Sequence, residues 1–407
     1  MPQFGIENRV NLDRMRAERV EKVRKQLKED GIGAIICFEP DNIKYLCDDT
    51  WAPGGMLAGV QLSRNVIMPR TGDPLLFEWG QIDRRVNAEL APWLKGTVRP
   101  GYRLGFFLGR GLYPEAFMND LKKTLADHGL GGEPVAIDMP VVTLNLKEIF
   151  EKAGIKLVDG GHSMARARMI KTEDEINCQR KASEICDGVW ATLRDAIRPG
   201  IREYELQCIG IKAALDRGAD GVAPHSVCSG EKTSPLMGAA TNRIINRGDL
   251  LFFDLHPVRW HGYKVCYYRT FCCGKANQRQ KDFYKQCLEL TYMPIRKVKA
   301  GVTSAELCKT WPSPQHWGAK DWWEISECAI GHGIGLTTQE APGITPLFSI
   351  EHPATLEENM VIALEAWYGS RVEPPLEGAR FEETGVVTKE GYEILTKWPK
   401  DEITECY

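Results

Sequence analysis

The chain has 407 residues, with 52 Lys and Arg against 55 Asp and Glu and a formal net charge of -3. Hydrophobic residues make up 43% and charged residues 26%, an ordinary soluble balance that argues against a nucleic acid or a membrane surface as the main partner. No apolar run approaches the ~18 residues of a membrane span, and Met1 to Arg24 is charged and lacks the apolar core of a secretory leader, so a cytoplasmic protein of two domains is expected. Thirteen cysteines are scattered, odd in number and without C-x-x-C pairs, which points to reduced core thiols rather than a disulfide framework.

In chain order, residues 11–29 place Met15, Val20, Val23 and Leu27 on one helical face with Arg and Glu opposite. A buried strand is expected over Ile32 to Phe38, followed by Asp41 to Tyr45. Further strands are expected over Gly59 to Met68, Pro74 to Phe77, Arg103 to Leu108 and Val135 to Ile137, with helices over Tyr113 to His128 and Thr143 to Ala153. That alternation predicts an α/β domain over residues 1–167. Thr172 and Glu175 form a capping box that opens a long helix through Asp195. Arg198-Pro199-Gly200 stops it, and a second helix runs from Arg202 through Arg217. Helices over Lys281 to Val298 and from Ser304, then strands over Gly331 to Leu336, Asn359 to Trp367 and Gly378 to Val387, complete a second domain over residues 168–407.

The stretch Leu250 to Phe271 reads as two strands joined by a tight hairpin. Its first strand, Leu250 to Phe253, is an apolar run that ends in Asp254. A buried carboxylate costs several kcal/mol without a counter-charge, so Asp254 needs a cation or a metal. His256, two residues on, points the same way by strand alternation, and Cys266 is expected on the returning strand.

Gly248-Asp249 before the strand ending in Asp254, the Gly262-Tyr263 turn, Arg269-Thr270-Phe271, Gly331-His332-Gly333-Ile334-Gly335-Leu336, Leu364-Glu365 and Arg380-Phe381-Glu382-Glu383 occur in that order. The series resembles the pita-bread superfamily of methionine aminopeptidases, prolidases, aminopeptidases P and creatinases, over about Arg168 to Thr396. The resemblance implies a creatinase-like α/β N-terminal domain, an α+β C-terminal domain with a curved antiparallel sheet, a homodimer and a small-molecule substrate. It also implies a two-metal site of two Asp, one His and two Glu. Asp254 matches the first Asp, His332 the His, Glu365 the first Glu and Glu382 the second.

The second Asp is missing, and Cys266 stands in its place. A thiolate is a softer donor and a poor bridge between hard cations. Two alternatives stay open: one divalent iron, manganese or zinc ion held through Asp254, His332, Glu365 and Glu382 with His256 or Cys266 assisting, or a site that has lost its metal and left Cys266 as a small core residue. Without metal, Asp254, Glu365 and Glu382 repel one another, so at least one is expected to hold a proton and serve as a general acid. His332, flanked by Gly331, Gly333 and Gly335, is expected to have backbone room for substrate or metal beside it. His332, Glu365 and Glu382 are the expected catalytic residues.

Met237 replaces the substrate-facing His of the prolidase and creatinase loop, and Gln339 replaces a second His. The loop Ser229-Gly-Glu-Lys-Thr-Ser-Pro235 and the longer hairpin resemble the dimethylsulfoniopropionate lyase branch. His225, Met237, Trp260, His261, Tyr263, Gln339 and Trp367 are the expected substrate contacts, since aromatic faces suit an apolar or cationic ligand. The leading expectation is a hydrolase of a C–N bond in a dipeptide-like, amide or amidino compound. An elimination-type lyase and a metal-free binding module are the alternatives.

Overall fold

The computed structural model describes residues 9–48, 64–78, 91–94, 96–102, 104, 114–138, 144–222, 226–234, 238–255 and 258–407. Contacts divide the chain into two compact units, the N-terminal one being Asn11–Arg168, which ends inside the helix Gly161–Met169. In the N-terminal unit the described residues form one six-stranded sheet. Its strands are β1 (Ala34–Cys37), β2 (Asn65–Pro69), β3 (Leu75–Glu78), β4 (Val98–Pro100), β5 (Val135–Ile137) and β6 (Leu157–Asp159), in the order β4-β3-β2-β1-β5-β6. Strand β1 runs antiparallel to β2 and parallel to β5, so Ile36 lies between Ile67 and Ile137. The expected strand over 103–108 lies outside the described residues except for Leu104, and only the end of the one over 59–68 is described.

The first helix, Leu12–Glu29, is capped by Asn11 and buries Met15, Arg19, Val23 and Leu27. Arg19 takes the place expected for Val20, because its guanidinium reaches Asp48 Oδ1 at 3.2 Å. Residues Pro40–Cys47 form a second helix whose N-cap, Glu39, accepts from the Asn42 amide at 2.9 Å.

Burial, and then the charge of Asp41, push Glu39 up to about 7 against the pull of Arg168. A carboxyl with a raised folded-state pKa favours the folded state while protonated and loses that contribution as pH rises from its ordinary 4.5 toward 7. Glu39→Gln keeps the capping oxygen. It should therefore stabilise this unit by about 1–2 kcal/mol at pH 8 and by much less at pH 5 in urea unfolding. Equal gains at both pH values would refute the reading.

In the C-terminal unit, the long helix Glu173–Ala196 opens on the expected capping box. The Thr172 hydroxyl accepts from the Glu175 amide at 3.3 Å, and the Glu175 carboxylate accepts from the Thr172 amide at 2.8 Å. The helix expected over 281–298 runs instead over Gln278–Ile295, because Asn277 and Gln280 form a second capping box. The described residues of this unit form three sheets. One has four strands, in the order β17 (Thr404–Cys406), β11 (Tyr268–Cys273), β8 (Leu250–Asp254) and β7 (Val227–Ser229). Another has five, in the order β13 (Glu340–Ile344), β12 (Ala329–Gly333), β14 (Val361–Gly369), β15 (Gly378–Val387) and β16 (Tyr392–Ile394). The third is a ribbon of β9 (Arg259–Trp260) and β10 (Tyr263–Lys264).

The expected single hairpin is therefore two ribbons in series. The inner one turns at His261 and Gly262, both with positive φ (49° and 82°), as a two-residue hairpin loop requires. The outer one pairs Asp254 with Tyr268. Cys266 lies in the connection between β10 and β11, not on the returning strand as expected. Its backbone turns away from β8 to the Thr384 hydroxyl, which accepts from the Cys266 amide at 3.2 Å and donates to its carbonyl at 2.6 Å. One step along, the Thr270 hydroxyl donates to the Arg380 carbonyl at 2.7 Å and accepts from its amide at 3.0 Å. Two threonine hydroxyls thus join β15 to the β10–β11 chain where no backbone ladder runs.

All thirteen cysteines are free thiols, and twelve are buried. No helix among the described residues is long and apolar enough to cross a membrane.

Candidate metal centre

Strands β12, β14 and β15 carry the site, and their register decides which side chains share a face. Glu365 pairs with Ile330 on one side and Glu382 on the other, Ala363 pairs with His332 and Thr384, and Trp367 pairs with Arg380. Paired residues point to the same side and residues two apart do so again. His332, Glu365, Glu382, Arg380, Thr384 and Trp367 therefore line one face. Glu383 falls on the other, where its carboxylate binds Arg269 at 2.8 Å and the Tyr292 hydroxyl at 2.9 Å.

Asp254, His332, Glu365 and Glu382 are at most 4% exposed, so each charge must be matched locally. Arg380, fully buried, donates from Nε at 3.0 Å and from Nη2 at 2.7 Å to Glu365 Oε2. It also lies 4.6 Å from the Tyr268 ring centre. Burial weakens the charge of a lone guanidinium, but beside Glu365 this one is held well above its ordinary range.

Glu382 is the opposite case. Neither of its carboxylate oxygens has a hydrogen-bond partner among the described residues. Burial, and then the charges of Glu365 and Asp254, push its carboxyl well above the usual range, with the nearby Cys266 thiol a minor opposing influence. His332 Nδ1 lies 2.9 Å from the Gly333 carbonyl, which can only accept, so Nδ1 carries the hydrogen. In the neutral ring Nε2 is then the nitrogen with the lone pair, and it lies 3.8 Å from Glu382 Oε1. Cys266 Sγ lies 4.0 Å from Asp254 Oδ1. Burial first, then the neighbouring Glu382, Asp254 and Glu365, push that thiol well above its ordinary range.

One group among the described residues has ligand atoms close enough for a cation: Cys266, His332 and Glu382, all within 4.8 Å of one another and all buried. The donor set fits one divalent ion. A carboxylate with two unpartnered buried oxygens is what such an ion would relieve, and imidazole and thiolate are ordinary ligands beside it.

A model of metallopeptidase family M24 matches residues 177–389, and one of the creatinase/prolidase N-terminal domain matches residues 19–170. An Xaa-Pro dipeptidase from Pyrococcus horikoshii is 30% identical over 388 residues, which are 94% of this chain and 98% of that one. The chain belongs to metallopeptidase family M24. A dimethylsulfoniopropionate lyase from Roseovarius nubinhibens is 24% identical over 424 residues, covering 96% of this chain and 87% of the lyase. The prolidase structure from Thermococcus sibiricus superposes with a TM-score of 0.77 at 22% identity over 96% of this chain and 99% of that one. The fold is the creatinase-type N-terminal domain followed by the pita-bread domain of that family.

Against this M24 frame the predicted ligands separate. Cys266, His332 and Glu382 converge. Asp254 flanks them through Cys266, and Glu365 is taken up by Arg380. His256, His225 and Met237 lie outside the described residues.

The expected substrate contacts divide too. The Tyr263 hydroxyl donates to Glu175 at 2.6 Å, inside the unit rather than into a pocket. Trp367 is fully buried and its indole donates to the Thr233 carbonyl at 2.7 Å, so it anchors the Ser229–Thr233 turn to β14. Gln339 is exposed. Trp260 and His261 sit at the tip of the β9–β10 ribbon, partly exposed, with ring centres 4.3 Å apart.

The glycines around His332 serve packing, not ligand room. A Cβ at Gly333 would lie 2.2 Å from the Ala341 carbonyl oxygen, one at Gly331 2.5 Å from Leu364, and one at Gly335 2.9 Å from the Glu340 carboxylate. That carboxylate is in turn held by the buried Lys171 at 3.1 Å.

Arg380, present in the motif but given no role by it, and Thr384, outside it, complete the face that carries Glu382. Their signal was the period of two around Glu382.

Proposed function

We propose that this M24 chain hydrolyses a C–N bond in a small dipeptide-like or amide substrate. The observation that carries the reading is Glu382: a fully buried carboxylate without a hydrogen-bond partner among the described residues, facing the His332 Nε2 lone pair at 3.8 Å. The extent of the similarity to the Pyrococcus Xaa-Pro dipeptidase supports the choice of substrate class. Cys266, His332 and Glu382 would hold a divalent cation, which supplies Lewis-acid polarisation of the scissile carbonyl and acidifies water. Glu382, ionised once that cation matches its charge, would exchange the protons: one oxygen takes a proton from the attacking water and returns it to the departing nitrogen, which otherwise would leave as an amide anion. The Gly333 carbonyl fixes His332 in one tautomer and keeps Nε2 aimed at that carboxylate. Arg380 neutralises Glu365, so the second acid does not compete for the same proton.

An elimination reading is favoured by the similarity to the lyase over 96% of this chain, and product analysis separates the two. With Xaa-Pro dipeptides and simple amides in solvent enriched in ¹⁸O, hydrolysis incorporates one solvent oxygen per turnover and releases a free amine. Glu382→Gln and His332→Ala should each lower kcat by about 10²–10⁴. An unsaturated product without solvent oxygen would overturn hydrolysis in favour of elimination.

A further inference from the structure

We infer that the cluster is a single-ion site in which Cys266 is a direct thiolate ligand, selecting a borderline cation of the zinc, cobalt(II) or iron(II) class over manganese or magnesium. The inference shares with the proposed function the premise that this cluster holds a cation, but it does not depend on which bond is cleaved.

Geometry argues first for one ion. Around a tetrahedral cation with bonds of about 2.0–2.3 Å, neighbouring ligand atoms sit roughly 3.3–3.8 Å apart. His332 Nε2 and Glu382 Oε1 are already 3.8 Å apart, and the Cys266 sulfur lies with them inside 4.8 Å. Small side-chain rotations close the set. The Cys266 backbone has little freedom to move away, because its amide and its carbonyl are both held by Thr384.

A second, independent observation points to a cation here. Glu382 is fully buried and aimed into the cluster with both oxygens unpartnered among the described residues. A second ion has no such invitation. Glu365 Oε2 already accepts two N–H groups of Arg380, and at position 266 a sulfur stands where two hard cations would need a shared carboxylate.

Donor chemistry then sets the class of cation. Thiolate and imidazole favour zinc, cobalt(II) and iron(II), whereas manganese and magnesium prefer all-oxygen sets. As the sulfur–metal bond forms, the thiol proton passes to solvent, so no redox partner is required. Asp254 Oδ1, 4.0 Å from the sulfur, accepts from the S–H only while Cys266 is a thiol, and is placed to take up that proton as it leaves.

The test is a spectroscopic titration of full-length protein freed of metal by chelation and dialysis. Cobalt(II) should bind at one equivalent per chain and give a thiolate-to-cobalt charge-transfer band in the near ultraviolet. Zinc should remove the band, and a 100-fold excess of manganese should not. Cys266→Ser should lose the band and at least about 100-fold in cobalt affinity, while Cys266→Asp should shift preference toward manganese. Circular dichroism confirms that both variants fold.

Cobalt binding without the band, two equivalents of manganese in the parent protein, or no cation bound at all would each overturn the inference. The two readings fail separately. A band with no amide turnover leaves the ligand assignment standing and removes the reaction. Turnover with manganese and no band does the reverse.

Discussion

Replacing Glu382 with methionine should abolish turnover and, in the same step, make the cation-free protein more stable. The carboxyl is fully buried with no hydrogen-bond partner among the described residues, and an unsatisfied buried polar group costs about 1–3 kcal/mol. Methionine fills a similar volume without that cost, so the C-terminal unit should gain roughly 1–2 kcal/mol, or ~3–6 °C in Tm. The gain should depend on pH with a definite sign. Burial and the charges of Glu365 and Asp254 raise the Glu382 carboxyl well above its ordinary 4.5 in the folded state. The folded protein therefore holds a proton that the unfolded chain releases, and wild-type stability falls as pH rises above that ordinary value. Glu382→Met escapes the penalty, so its advantage should grow from about pH 4.5 upward. Saturating zinc should reverse the order, because a ligand at 100 times its Kd stabilises only the protein that binds it, by about 2.7 kcal/mol. Thermal melts of both proteins, with chelator and with zinc, read all three effects. A variant less stable than wild type under chelator would show that Glu382 has a partner and that the site is not waiting for a cation.

The legible parts of the chain were those fixed by local rules. The capping box at Thr172 and Glu175 placed the long helix to within a residue, and the strand Gly378–Val387 was read to its ends, because caps and alternation are local signals. That Asp254, His332, Glu365 and Glu382 come together was legible from motif order, but which neighbour each one meets was not. Whether Glu365 meets a metal or a guanidinium depends on the register that puts Arg380 beside it, a relation between strands that spacing within one strand does not contain. Cys266 was misplaced for the same reason. Its departure from the ladder is caused by Thr384, 118 residues away. The glycines near His332 were misread because open space and a close neighbouring strand demand the same residue, and only the contacts of Gly333 with Ala341 tell them apart.

Arg380→Met should destabilise the C-terminal unit by about 3–5 kcal/mol, the usual cost of stranding one member of a buried ion pair. Arg380 and Glu365 are both almost wholly buried. Removing the cation leaves Glu365 beside Glu382 with nothing of opposite sign donating to Oε2. Arg380→Lys should recover little, because an ammonium cannot supply Nε and Nη2 to Glu365 while also reaching the Glu327 carbonyl, which the guanidinium does at 3.0 Å. The double change Arg380→Met with Glu365→Met removes both charges, so it should cost less than Arg380→Met alone. Urea unfolding, followed by a probe specific to this unit, measures the series. A cost below about 1 kcal/mol for Arg380→Met would mean that Glu365 is already neutral and that the pair contributes little. The same variant also asks where a cation reaches. If Cys266, His332 and Glu382 hold the ion without Glu365, zinc should stabilise Arg380→Met and wild type by equal amounts. If Glu365 is a ligand as well, freeing it from the guanidinium should let zinc restore most of what the substitution removed.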